Sequence, residues 1–80
     1  MRIHRDLSGV ELVKALKRLG YESTRQVGSH ARLATQRGGE HHVTIPAHDP
    51  LKVGTLNAIL REVERHHRVS RQDLLRTLFG

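Results

Sequence analysis

Arg25-Gln26-Val27-Gly28-Ser29-His30 lies between two strand-like runs, and its reading decides the fold. Upstream, Tyr21, Ser23, Arg25 and Val27 occupy alternate positions from 21 to 27, which suits an edge strand. Downstream, from 30 to 36, Ala31, Leu33 and Thr35 fall on one face, and His30, Arg32, Ala34 and Gln36 on the other. Glycine lets the backbone turn tightly or come close to a ligand. The segment therefore joins two antiparallel strands and sets a hydroxyl and an imidazole at the join. Arg37-Gly38-Gly39 reads as a second turn, and residues 40–45 as a third strand. There His41, Val43 and Ile45 share one face, His42 and Thr44 the other, and Pro46 ends the ladder. The expected sheet has one apolar face for helices and an outer face or rim rich in base and imidazole.

Helices flank this sheet in the sequence. Ser8 with Glu11 three residues on forms a capping box, and Leu7 with Leu12 a hydrophobic staple. Leu12, Val13, Leu16 and Leu19 follow at helical spacing, and Gly20 closes a helix over 8–19. Pro46 to Gly54 is a loop. Thr55 caps a helix over 55–67, whose stripe is Leu56, Ile59, Leu60 and Val63. Ser70 with Asp73, and Val69 with Leu74, repeat the start signals for a short helix over 70–78. This tail packs either on its own domain or on a second copy. The fold class expected is α+β, α-β-β-β-α with a three-stranded antiparallel sheet and a short C-terminal helix, in one domain over 1–80.

Composition narrows the function. A chain of 80 residues buries only roughly two-thirds of its surface, so its core is small. Lys and Arg number 14 against 8 acids, a net charge of +6, and eleven of the 14 are arginine. Arginine is the better fork for phosphate oxygens, so a polyanion or an acidic protein is the expected partner. The absence of cysteine excludes disulfides, thiolate nucleophiles and cysteine-ligated zinc, and suits a cytoplasmic location. No run approaches the roughly 20 apolar residues of a membrane span, and the N-terminus carries no secretory signal. Tyr21 and Phe79 are the only large aromatics, too few for a base-stacking platform.

Imidazole transfers protons near neutral pH, and seven histidines are present. His30 is the candidate for proton transfer on an RNA backbone; the alternative is a loop histidine with a local hydrogen bond. His30, His42 and His48 converging would make a zinc triad by ligand type, but their spacing fits no compact metal motif. His66-His67 suits the negative end of a helix dipole, and His4 reads as surface. Lys52-Val53-Gly54-Thr55 leads into a helix N-terminus, where free amides beside a lysine seat phosphate or make an ordinary cap.

The order of these signals from about Leu7 to Leu75 resembles the HicA toxins, mRNA interferases of HicA–HicB toxin–antitoxin systems. The resemblance is carried by Ser8-Gly9, Leu19-Gly20-Tyr21, Arg25 ahead of Gly28-Ser29-His30, Val43-Thr44-Ile45-Pro46 with His48, Lys52-Val53-Gly54-Thr55-Leu56 and Ile59-Leu60-Arg61. It implies a fold like the double-stranded RNA-binding domain, metal-independent RNA cleavage without a cofactor, and a catalytic histidine that is His30 here. It also implies a stress-response role in the cytoplasm and a HicB-type antitoxin that covers the site. A homodimer or hetero-oligomer fits, and DNA would be met only through the antitoxin complex. Residues 64–80 depart from the usual short tail.

The chemistry suits RNA, whose 2′-hydroxyl lies beside each phosphate. His30 would take that proton. Arg25, Arg32 and the amides around Gly28 and Ser29 are candidates to hold the developing charge, with His48 and Lys52 supporting. The acid for the leaving oxygen is His48, His42 or water. The alternatives are a non-catalytic RNA-binding module, a protein-binding partner without RNA activity, and metal-dependent hydrolysis, for which the carboxylates are too scattered to make a convincing two-metal site.

Overall fold

Ser8 and Glu11 fix where the chain first becomes helical. The Ser8 hydroxyl accepts from the Glu11 amide at 3.1 Å, and the Glu11 carboxylate accepts from the Ser8 amide at 3.0 Å. Such a cap is worth about 1 kcal/mol. In the computed structural model, which describes residues 6–80, helix α1 runs over Gly9–Leu16. It then tightens into a 3-10 turn over Lys17–Leu19. Gly20, at a φ of 82°, reverses the chain as expected. The expected 8–19 helix is thus α-helical for two turns and 3-10 for the last. His4 lies outside the described residues.

Strands β1 (Glu22–Val27), β2 (His30–Thr35) and β3 (His41–Pro46) form an antiparallel sheet in that order. On β2 and β3 the alternation holds. Ala31, Leu33, Thr35, Val43 and Ile45 are buried, while His30, Arg32, His42 and Thr44 are exposed. β1 is the edge and departs from strict alternation. Ser23 pairs with Leu33 and Arg25 with Arg32, so Thr24 is an extra residue. This β-bulge turns Arg25 and Val27 to the outer face, opposite Ser23, and corrects the shared face read from the sequence. The Thr24 hydroxyl holds the bulge by donating to the Arg32 carbonyl at 3.2 Å.

Helix α2 covers Val53–His67, three residues earlier than a Thr55 cap would allow. Lys52 is the N-cap residue and supplies no side-chain bond. The start is set by tertiary structure instead. Leu51 is buried, and its amide donates to the Leu7 carbonyl at 2.8 Å, which aims the chain into the helix. Helix α3 covers Arg71–Phe79, capped by Ser70, whose hydroxyl accepts from the Asp73 amide at 3.1 Å.

α1 and α2 both pack on β3, and α3 packs on α1, the 3-10 turn and α2. The tail therefore folds onto its own domain. Leu74, Leu75 and Leu78 join the core of Leu12, Leu16, Tyr21, Leu33, Ile45 and Leu60. Polar ties lock it: Arg18 donates to the carbonyls of Thr77 and Gly80, and Arg71 pairs with Glu64 and donates to Asn57. The result is the α+β, α-β-β-β-α layout with one helix-covered sheet face.

Candidate functional site

The β1–β2 turn is two residues long, Gly28 and Ser29, closed by the Val27–His30 pair. Gly28 has a φ of 58° and Ser29 does not have a positive φ, as in the hairpin turn that favours glycine first. That turn starts β2 at His30, opposite Pro46 of β3. The Ser29 carbonyl accepts from the Ala47 amide at 2.6 Å, so the turn and the loop leaving β3 are pinned together.

The same loop is pinned from the other side by α1. The Gly9 amide donates to the His48 carbonyl at 2.9 Å. A Cβ at Gly9 would lie 2.1 Å from the Pro46 carbonyl oxygen. Only a bare backbone passes there. Four elements thus meet at one end of the sheet: the hairpin turn, the β3 exit loop, the start of α1 and the start of α2.

At that junction His30, Pro46, His48, Leu51, Lys52 and Thr55 line an open cleft of about 250 Å³. His30, His48 and Lys52 are exposed. The first amides of α2 have no partner inside the helix and no side-chain cap from Lys52. They give this end of the cleft donors and the positive end of a dipole. The cleft therefore offers two imidazoles that can exchange protons, an ammonium, and free amides for an anion.

Arg25 and Arg32 stand directly opposite each other on the outer face, two residues along β2 from His30. Both are exposed, and among the described residues neither takes part in an ion pair. Like charges placed so destabilise a sheet unless an anion lies between them. The bulge at Thr24 is what puts Arg25 there.

His30, His48 and Lys52 thus come together, Gly28 and Ser29 form the adjoining turn, and Arg25 and Arg32 lie beside it. His42 does not join them. It pairs with Ala34 at the other end of the sheet, and its ring nitrogen meets the Glu40 carboxylate at 2.6 Å. The zinc triad therefore does not form, and among the described residues no three His, Cys, Asp or Glu are set to hold a metal. Sequence reasoning missed Leu51 in the wall of the cleft and the close approach at Gly9, and it placed Thr55 there only as part of a phosphate seat or cap.

It also missed a second imidazole cluster. The buried Tyr21 hydroxyl bonds His41 Nδ1 at 2.7 Å and His67 Nε2 at 3.1 Å. His66 stacks on His41, with centroids 4.4 Å apart. Burial pushes the Tyr21 hydroxyl up to about 12, with Glu62 adding to it. Burial, then the neighbouring His66, holds both His41 and His67 below the ordinary imidazole range. The His66-His67 dipeptide was the only sequence signal, and its partners are remote in the chain.

Among the described residues no helix is long and apolar enough to cross a membrane. No curated protein and no solved structure matches the chain. A family model described as HicA toxin of bacterial toxin-antitoxin matches residues 9–64, well over half of the sequence. The matched span runs from the glycine that admits the β3 exit loop, through the hairpin turn and the cleft, to the start of the last turn of α2. The chain belongs to the HicA toxin family and is a toxin of a bacterial toxin–antitoxin system.

Proposed function

We propose that the chain is an endoribonuclease that cleaves mRNA at the cleft between His30 and His48, without a metal, and is neutralised by a HicB-type antitoxin. One observation carries the reading. Two imidazoles and a lysine from separate elements line one open cleft beside an unpaired arginine couple. Proton transfer and charge stabilisation are the two things that cleavage by the 2′-hydroxyl requires.

In this reaction His30 takes the proton of the ribose 2′-hydroxyl, and that oxygen attacks phosphorus. The new O2′–P bond forms as the P–O5′ bond breaks. The leaving oxygen takes a proton from His48, across the cleft. Lys52, the free amides of α2 and the Arg25–Arg32 couple hold the negative charge that grows on the phosphoryl oxygens. The products are a 2′,3′-cyclic phosphate and a 5′-hydroxyl. An antitoxin that seats an acidic surface over the cleft would satisfy the same cations, which is how we read its neutralising action.

The test is product chemistry. A long RNA should yield fragments ending in cyclic phosphate, and an RNA with 2′-O-methyl groups throughout should stay intact. Cleavage of the methylated RNA would rule out 2′-hydroxyl attack. Salt-sensitive binding with both RNAs intact would make the chain a non-catalytic RNA-binding module.

A further inference from the structure

At the opposite end of β2 a second cleft, of about 660 Å³, is lined by Arg37, Gly38, Arg65, His66, His67 and Arg68. It is a built feature. The turn after β2 is clamped to the end of α2 because the His66 ring donates from Nε2 to the carbonyls of both Arg37 and Gly39, each at 3.0 Å. Both partners are acceptors, so that nitrogen carries the proton. Around this clamp stand three exposed guanidinium groups. Arg37 donates only to the Arg18 carbonyl, and the side chains of Arg65 and Arg68 have no hydrogen bond or ion pair among the described residues. Glu62 shares the neighbouring groove with Arg65 but makes no ion pair with it.

Arg68 adds an independent observation. It ends α2 at a φ of 55°, the left-handed position where glycine is usual. A side chain there costs roughly 1 kcal/mol. The position keeps a guanidinium at the rim of the cleft where glycine would be more stable. The half negative charge at the end of the α2 dipole is small against three guanidinium charges.

The lining decides between anions. It holds glycine, imidazole and guanidinium and no aliphatic or large aromatic side chain. Protein interfaces favour apolar and aromatic anchors at their centre, and this cleft has none; a phosphodiester needs forks of donors, which it has. The clefts flank opposite ends of β2, whose five residue steps span about 17 Å at about 3.3 Å per residue. That is about five stacked nucleotides. The Arg25–Arg32 couple lies between the two ends.

We infer that the cleft of Arg37, Arg65 and Arg68 is a second phosphate-binding site, which grips the RNA strand about five nucleotides from the scissile phosphate. The inference rests on RNA being the substrate. It lies mostly outside the family match, which stops at Glu64, before Arg65 and Arg68.

The test uses the full chain with His30→Ala, so that RNA stays intact, with and without Arg65→Ala and Arg68→Gly together. Glycine at 68 suits the left-handed backbone, so lost binding cannot be blamed on the fold; a thermal scan checks this. Binding of a single-stranded RNA of about 12 nucleotides, long enough to reach both clefts, is followed against salt. The double change should weaken it about tenfold and flatten the logarithmic salt slope by about 1.4, for two phosphates at about 0.7 each. A trinucleotide, too short to engage both clefts at once, should lose far less affinity than the long RNA. An unchanged affinity and slope with the long RNA overturns the inference, even where the parent cleaves RNA. Unchanged RNA binding with lost antitoxin binding also overturns it, as a protein contact. If the parent does not cleave but the loss is seen, the site stands and the nuclease reading falls. If the His30→Ala chain binds neither RNA, both fall.

Discussion

Gly9→Ala should be the most informative single methyl in the molecule. In an open helix, alanine for glycine stabilises by up to about 1 kcal/mol. Here the new Cβ would stand 2.1 Å from the Pro46 carbonyl oxygen, and 3.1 Å from both Pro46 C and Ala47 Cα. All three are backbone atoms, so no rotamer relieves the contact. Ordinary contact begins near 3.5 Å, so the loop must retreat by over about 1 Å. That retreat strains or breaks the bond from the Gly9 amide to the His48 carbonyl, worth about 1 kcal/mol, and adds an overpacking cost of about 1–3 kcal/mol. After the gain in propensity the net loss is about 1–3 kcal/mol. For a domain of this size that lowers the melting temperature by roughly 5–20 °C. The same retreat displaces His48, and an error of about 1 Å in a reacting group can cost about a hundredfold in rate. Thermal unfolding and RNA cleavage read the two effects. Gly54→Ala is the control, because a Cβ there meets nothing within 4 Å and should be neutral or stabilising. If Gly9→Ala matches Gly54→Ala in both stability and cleavage, the claim that α1 positions the His48 loop is wrong.

Two further outcomes follow from the electrostatics. Arg32→Glu turns the like-charged couple with Arg25 into an opposite-charged one. It should raise stability by about 0.2–1 kcal/mol while weakening RNA binding and cleavage; a loss of stability would contradict the reading of an unrelieved couple. Stability should also depend on acid. Burial depresses His41 and His67 in the folded chain, so below about pH 6.5 the unfolded chain takes protons that the folded chain resists. Their contribution is complete above that pH and declines as the pH falls through the folded values. Melting temperatures at about pH 7.5 and 5.5 check this, and His67→Gln should flatten the difference; a flat parent profile would refute it.

What could be read from the sequence was local. The Ser8–Glu11 box, the Gly20 reversal, the Gly28-Ser29 turn and the alternation along β2 and β3 each depend on neighbours in the chain, and each has a spacing that betrays it. The candidates His30, His48 and Lys52 could be picked out by type and by resemblance. Their meeting in one cleft could not, because it depends on the register that sets His30 against Pro46. The Thr24 bulge escaped because an extra residue on an exposed edge strand leaves no apolar pattern to interrupt. The start of α2 at Val53 escaped because the contact of Leu51 with Leu7 overrides the local preference for a hydroxyl cap. Gly9 resembles any first-turn glycine until the carbonyl of Pro46 is seen against it. The Tyr21–His41–His67 network joins three elements that nothing in the linear order connects.

The central claim is that the His30 imidazole moves the ribose proton. The most direct measurement is the cleavage rate of a long RNA, with a chelator present throughout, for the parent and for His30→Ala. Removing the general base should slow cleavage at least about a hundredfold, leave the thermal transition unchanged because His30 is exposed, and leave RNA binding nearly intact. Parent-like cleavage by His30→Ala, or a parent that cleaves only when the chelator is removed, would contradict the account.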